Sequence, residues 1–333
     1  MNKIKENKKA KFREILLHFA INNKKLLITL KLIIAAGLIW YLIYKLDYNE
    51  IILSLENANY YLIGFVIGLM MLNLYLQYRR WELTSKLLLN QSNNKKIFQS
   101  FIYGISAGAF TPARVGEYLG RAMVYKDKPL LHSFAATFLD KFFLLIVVVF
   151  TGSIGGVLFL SINYHVSNII IAPLFIVLFL LLIFFIVVLK NPRYWFDNIS
   201  VRFKKYKKVN TGIERINSLN FSKTKYANEM LIISILHFIT ILLQFALLVS
   251  AFSFKYNFLG YIWAGSLMLF VKSVIPSISF GDLGVREAAA VFFLLPFGIS
   301  NVSAFNASIF LFLINILLPA ILGLFFLIKR NNV

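Results

Sequence analysis

Three stretches of this chain carry no charged side chain over lengths that a soluble fold seldom uses. They are Ile169–Leu189, 21 residues, and Met230–Phe254 and Ala304–Ile328, 25 residues each. About 20 apolar residues rising about 1.5 Å each cross a hydrocarbon core of about 30 Å. Inside lipid, backbone N–H and C=O groups have no water to turn to. A spanning segment of this apolar, uninterrupted kind therefore closes its hydrogen bonds within a helix. The expected fold is all-α, a polytopic membrane helical bundle. The composition agrees: 59% of the 333 residues are hydrophobic, where a soluble domain sits nearer half.

The formal net charge is +21, and the basic residues gather at the ends of the apolar runs. That placement reads as the positive-inside rule with attraction to anionic lipid heads, not as nucleic-acid binding. Residues 1–25 hold eight Lys/Arg and form a basic cytoplasmic segment. Residues 26–330 read as a single transmembrane domain. The loop at about 190–228 carries ten Lys/Arg against Asp197 and Glu214 and is expected in the cytoplasm. Its Trp195, Phe196, Phe203 and Tyr206 also suit a basic helix lying on the inner leaflet. Cysteine is absent, which excludes disulfides and thiolate metal sites. His18, His132, His165 and His237 have no metal-ligand spacing, and neither a metal nor a cofactor is expected. The start of the chain has too long a basic stretch, and no small-residue cleavage site, to be a cleaved signal.

Full spans are expected at Leu26–Tyr44, Tyr60–Gln77, Ser133–Leu160, Ile169–Leu189, Met230–Phe254 and Ala304–Ile328. Arg79, Arg80, Lys86, Lys95 and Lys96 then fall in an inside connection. Two further segments, Ile97–Val124 and Phe258–Leu295, are apolar, then broken by proline and charge, then apolar again. With both termini cytoplasmic, the basic-residue count makes them two re-entrant hairpins entering from opposite faces. Such a pair suits an inverted repeat. Broken backbone at membrane depth has to be buried by protein or line a wet cavity.

The first break includes Thr111, Pro112, Arg114, Gly116 and Glu117, with Arg121 one turn on. The second includes Pro276, Ser277, Gly281, Gly284, Arg286 and Glu287. Proline ends a helix by removing a donor, and glycine allows a tight bend and close approach. The following helix then offers its N-terminus to an anion, and arginine adds a planar fork suited to phosphate. These twelve residues are the candidate substrate-binding set. Arg114, Glu117 and Arg121 can meet on one helix face, whereas the neighbours Arg286 and Glu287 need other partners. The competing reading is a structural ion pair locking each hairpin. Asp140, Lys141 and Lys272 are secondary candidates, and Asp140 and Lys141 also suit snorkelling at the cytoplasmic edge.

At Thr111–Ala122 and Ile275–Ala289 the chain resembles the lysylphosphatidylglycerol synthase transmembrane region, the flippase-like domain family, over about Leu26 to Ile328. The resemblance implies a two-hairpin architecture with a lipid site between the hairpins. It also implies movement of a lipid head group between leaflets, as for the aminoacylated phospholipid of multiple peptide resistance factor. Only Asn331–Val333 follow Arg330, so lysine transfer from tRNA by a soluble domain is not expected.

Three functions compete. The first is a transporter or flippase of an anionic or glycosylated lipid, isoprenoid-linked and aminoacylated lipids included, in the cell membrane. There Arg114, Arg121 and Arg286 would contact phosphate, and Glu117 and Glu287 would hold those arginines or bind a cationic head. The second is an enzyme acting on a lipid-linked sugar or phosphate, with Glu117, Asp282 or Glu287 as base. The third is a membrane partner of a glycosyltransferase or lipid synthase, docking through 190–228. No phosphate-binding glycine loop or nucleophile elbow is present, which favours the first.

Overall fold

The computed structural model describes residues 48–111, 114–125, 127–190, 224–275 and 284–331. The expected first span, the basic 1–25 segment and most of the 190–228 loop lie outside them, as do Pro112, Pro276, Ser277, Gly281 and Asp282. The described chain is helical throughout, with no strand among the described residues. In order come α1 (Tyr48–Glu56), α2 (Tyr60–Leu88), α3 (Asn94–Ala109), α4 (Val115–Val124), α5 (Leu130–Tyr164) and α6 (Asn168–Lys190). Then follow α7 (Thr224–Ser253), α8 (Phe258–Val274), α9 (Val285–Leu294), α10 (Asn301–Phe312) and α11 (Leu318–Asn331).

Four helical stretches among the described residues are long and apolar enough to cross a bilayer: Tyr60–Leu88, Leu130–Tyr164, Lys225–Ser253 and Asn301–Leu324. Large apolar side chains face outward on them and on the helices beside them. Ile169 is 83% exposed and Leu259 82%, while Asn73, Thr137, Asp140, Gln244 and Ser308 are buried. An apolar exterior around a partly polar interior fits lipid as the surrounding solvent. This is a multi-pass membrane protein.

Caps fix several helix starts. The Asn59 side chain accepts from the Tyr61 and Leu62 N–H groups, Asn93 from Lys95 and Lys96, and Ser300 from Ser303. Helix α2 runs eleven residues past the expected end at Gln77. Trp81, Thr84, Ser85 and Leu88 bury one face of that extension, and Glu82 pairs with Arg79 and Lys86 one turn either side. Arg80, read from sequence as part of a connection, is therefore a buried helical residue.

The last apolar stretch is not one regular helix. Residues Leu313–Leu317 form a π turn between α10 and α11. Pro319 has no N–H to give the Asn315 carbonyl four residues back. The widened turn lies immediately ahead of it, at the kind of place where helices bulge.

The order of a long helix, a broken hairpin and a long helical stretch occurs twice: α2, α3–α4, α5, and again α7, α8–α9 and Asn301–Leu324. Helix α7 packs against α2, α5, α8 and α10, and α3 lies against α11. The short limbs α4 and α9, 10 residues each, reach only about 15 Å at about 1.5 Å per residue. In the first hairpin the limbs touch backbone to backbone. A Cβ on Gly116 would lie 2.2 Å from the Ala107 carbonyl oxygen, and one on Gly120 2.4 Å from that of Tyr103. On the facing limb, a Cβ on Gly104 would lie 2.6 Å from the Arg121 Cγ. Small residues four apart let helices approach this closely in lipid.

Gly120→Ala is expected to destabilise the purified protein by about 1–3 kcal/mol, the usual cost of overpacking where backbone has to move. Gly64→Ala, with nothing within 4 Å of the added methyl, should leave the unfolding midpoint in detergent unchanged or slightly higher.

Candidate functional site

The first break is followed by a carboxylate that holds three cations. Glu117 Oε1 meets Arg121 Nη2 at 2.7 Å and Lys141 Nζ at 2.6 Å, and its Oε2 meets Arg114 Nη2 at 3.2 Å. Arg121 spans to α5, where Nη1 donates to Asp140 Oδ2 at 2.8 Å. Its guanidinium also lies over the Trp81 ring, 4.1 Å from the centroid, a cation–π contact. Trp81 is pinned in turn, because its indole N–H donates to Ser100 Oγ at 2.7 Å. On the far side of Asp140, Arg80 Nε lies 3.4 Å from Oδ1. Arg114, Glu117 and Arg121 thus meet as their spacing on α4 predicts. Asp140 is fully buried and does not snorkel, since α5 carries it into the bundle opposite Arg80 and Arg121.

Four cations (Arg80, Arg114, Arg121, Lys141) therefore share two carboxylates (Glu117, Asp140). Arg80 is 1% exposed, yet its Nε and Nη1 have no hydrogen-bond partner among the described residues. A buried donor without an acceptor is costly, and four charges of one sign in a confined space call for a counter-charge.

The second break is organised differently. Gly284 has φ +95°, a region that glycine tolerates and other residues avoid. Its N–H donates to Glu287 Oε2 at 2.6 Å. Glu287 Oε1 accepts from Arg286 Nη2 and, at 3.2 Å, from Ser308 Oγ on α10. Arg286 Nε donates to the same Ser308 hydroxyl at 3.0 Å. The neighbours Arg286 and Glu287 pair with each other, contrary to the expectation from their spacing. The turn before α9 lets the two side chains converge on Ser308.

The same logic places the smaller residues. The Gly116 N–H donates to Thr111 Oγ1 at 2.7 Å, so the first turns of both α4 and α9 already have acceptors for a free N–H. Thr111, Gly116, Gly284 and Glu287 make their contacts within the hairpins and against α10. The surfaces left facing inward are the guanidinium and ammonium groups.

Those groups converge on one cavity of about 160 Å³ between the hairpins. Arg80 (α2), Arg114 (start of α4), Lys141 (α5), Lys272 (α8) and Arg286 (α9) all line it. Arg114, with φ +53°, holds a left-handed backbone that costs an arginine about 1–3 kcal/mol. Its side chain is 25% exposed and reaches both Glu117 and the cavity. Asn73, Gln77, His237, Ser273 and Asn315 complete the polar lining. None of these five was singled out from sequence, and neither was Arg80. For those on α2 and α7 the signal was there: Asn73, Gln77, Arg80 and Thr84 recur at one-turn and two-turn spacing along α2, as His237 and Gln244 do along α7.

Removing one member of a buried ion-pair set leaves charge uncompensated, at a cost of about 3–5 kcal/mol. Glu117→Gln is therefore expected to lower the unfolding midpoint in detergent strongly, and more than Asp140→Asn, because Glu117 serves three cations. Equal, small shifts for both would contradict this ranking.

A family model described as the lysylphosphatidylglycerol synthase TM region matches residues 28–323. No curated protein matches the chain.

Proposed function

The chain belongs to the lysylphosphatidylglycerol synthase transmembrane-region family, and from that premise we propose that it carries the phosphate-bearing head group of a lipid between leaflets. The family is a membrane domain linked to lipid flipping and lipid modification. One observation carries the reading: Arg114 from the first break and Arg286 from the second line one cavity together with Arg80, which faces Asp140 at 3.4 Å but whose Nε and Nη1 make no hydrogen bond among the described residues. Guanidinium groups presented in this way suit phosphate oxygens. A phosphodiester would supply the missing counter-charge, while the acyl chains stay in the bilayer.

In this reading the two broken hairpins are re-entrant, and their short limbs bring the cavity near mid-membrane, where transporters place their cargo sites. The two hairpin-centred halves would be related as an inverted repeat. The positive-inside count supports a cell-membrane protein with both termini and the 190–228 loop in the cytoplasm.

A charge-assisted contact to phosphate contributes about 1.5–3 kcal/mol, or roughly ten- to a hundred-fold in an equilibrium. In proteoliposomes holding fluorescent phosphatidylglycerol, Arg114→Gln should slow leaflet exchange at least about ten-fold, with a smaller fall in unfolding midpoint than Glu117→Gln, because Arg121 and Lys141 still hold the Glu117 carboxylate. Arg286→Gln should slow it as much. Unchanged exchange in both variants would reject the proposed site.

A further inference from the structure

The polar lining of the cavity is of two kinds. Arg80, Arg114, Lys141, Lys272 and Arg286 are cationic, and no carboxylate lines the cavity among the described residues. Glu117 is engaged by Arg114, Arg121 and Lys141, and Glu287 by the Gly284 N–H, Arg286 and Ser308. The other polar groups, Asn73, Gln77, His237, Ser273 and Asn315, bear no formal charge with His237 in its neutral form.

Asn73, Gln77, His237 and Asn315 are tied into one network with a readable direction. Asn73 Nδ2 donates to Gln244 Oε1 at 3.2 Å, and Asn315 Nδ2 donates to the same oxygen at 2.8 Å. Asn73 Oδ1 accepts from Gln77 Nε2 at 2.6 Å and faces His237 Nε2 at 3.2 Å. With the Asn73 oxygen as acceptor, His237 contributes Nε2–H. In the neutral imidazole that leaves Nδ1 with a lone pair. His237 is 4% exposed, and Nδ1 has no partner among the described residues. It is an acceptor beside the cavity that lacks a donor. The π turn puts Asn315 against Gln244 and the cavity.

Resting on the reading that a lipid head group enters here, we infer that the cargo pairs a phosphodiester with an uncharged, hydroxyl-bearing group and carries no amine. The phosphate lies against the cationic groups. A hydroxyl of the same head group donates to His237 Nδ1, and the side-chain amides serve its other hydroxyls. An ammonium could also donate to Nδ1, but it would enter a cavity lined by five cations and, among the described residues, by no carboxylate. An aminoacylated head group is therefore selected against by charge, not by size.

The test uses the full chain in non-ionic detergent, with binding followed by calorimetry. The probes are dioctanoyl phosphatidylglycerol, phosphatidylmethanol and lysyl-phosphatidylglycerol, together with glycerol 3-phosphate. Phosphatidylmethanol keeps the single negative charge but has no head-group hydroxyl. Phosphatidylglycerol is expected to bind about ten-fold more tightly than phosphatidylmethanol, the worth of roughly one buried hydrogen bond. It should exceed lysyl-phosphatidylglycerol by at least as much. His237→Phe should erase the preference over phosphatidylmethanol while binding of both persists, whereas Arg80→Gln should weaken both alike.

Lysyl-phosphatidylglycerol binding as tightly as phosphatidylglycerol would overturn this inference and leave lipid transport standing. So would a phosphatidylmethanol affinity equal to that of phosphatidylglycerol. Binding of glycerol 3-phosphate as tightly as the lipids would assign the cavity to a soluble phosphate ester. Indifference of every probe to Arg80→Gln would remove the head-group site itself.

Discussion

The interior of this bundle depends on one carboxylate. Glu117 gathers Arg114, Arg121 and Lys141 from a broken hairpin and the long helix beside it. Cations at membrane depth are tolerated when an opposite charge or a wet cavity receives them. The grip of Glu117 lets α4 sit against α5, fixes Arg121 over Trp81, and sets Arg114 at the cavity edge. Its capacity is nonetheless exceeded, because even with Asp140 added the cations outnumber the carboxylates. The surplus positive charge gives the cavity its chemistry.

The two hairpins reach the same cavity by different means. In the first, an acid holds cations drawn from several elements. In the second, Arg286 and Glu287 satisfy each other through Ser308, and the acid also ties down the Gly284 N–H that opens α9. In both, the acid is consumed by the scaffold and the arginine keeps a face toward the cavity. The choice between a structural ion pair and a ligand-binding arginine is thus not exclusive.

Much of this was legible in the sequence. The uncharged runs announced the membrane helices, and the proline, glycine, arginine and glutamate of each break marked the hairpins. The spacing of Arg114, Glu117 and Arg121 gave their meeting on one face. The neutral polar lining was harder to see. Asn73, Gln77, His237 and Asn315 are single polar residues scattered through apolar runs; recurrence at helical spacing sets apart those on α2 and α7, and nothing sets apart Asn315. Arg80 was hidden for another reason. It sits beside Arg79 at the end of an apolar run, where a basic pair usually marks a membrane boundary, and only the continuation of α2 to Leu88 turns it inward. The Arg286–Glu287 pairing depends on a glycine turn and a serine from a distant helix, neither of which sequence separation reveals.

The glycine seam between α3 and α4 has a mechanical consequence. With the carbonyls of Tyr103 and Ala107 occupying the places where side chains would begin on Gly120 and Gly116, the two limbs have no cushion of side chains to slide upon. The first hairpin is a single stiff wedge. Exposing the cavity first to one side of the bilayer and then to the other would require tilting that wedge as a block against its neighbours. The seams to α2, α5 and α11, not the fold of the hairpin itself, are where such a protein would have its hinge.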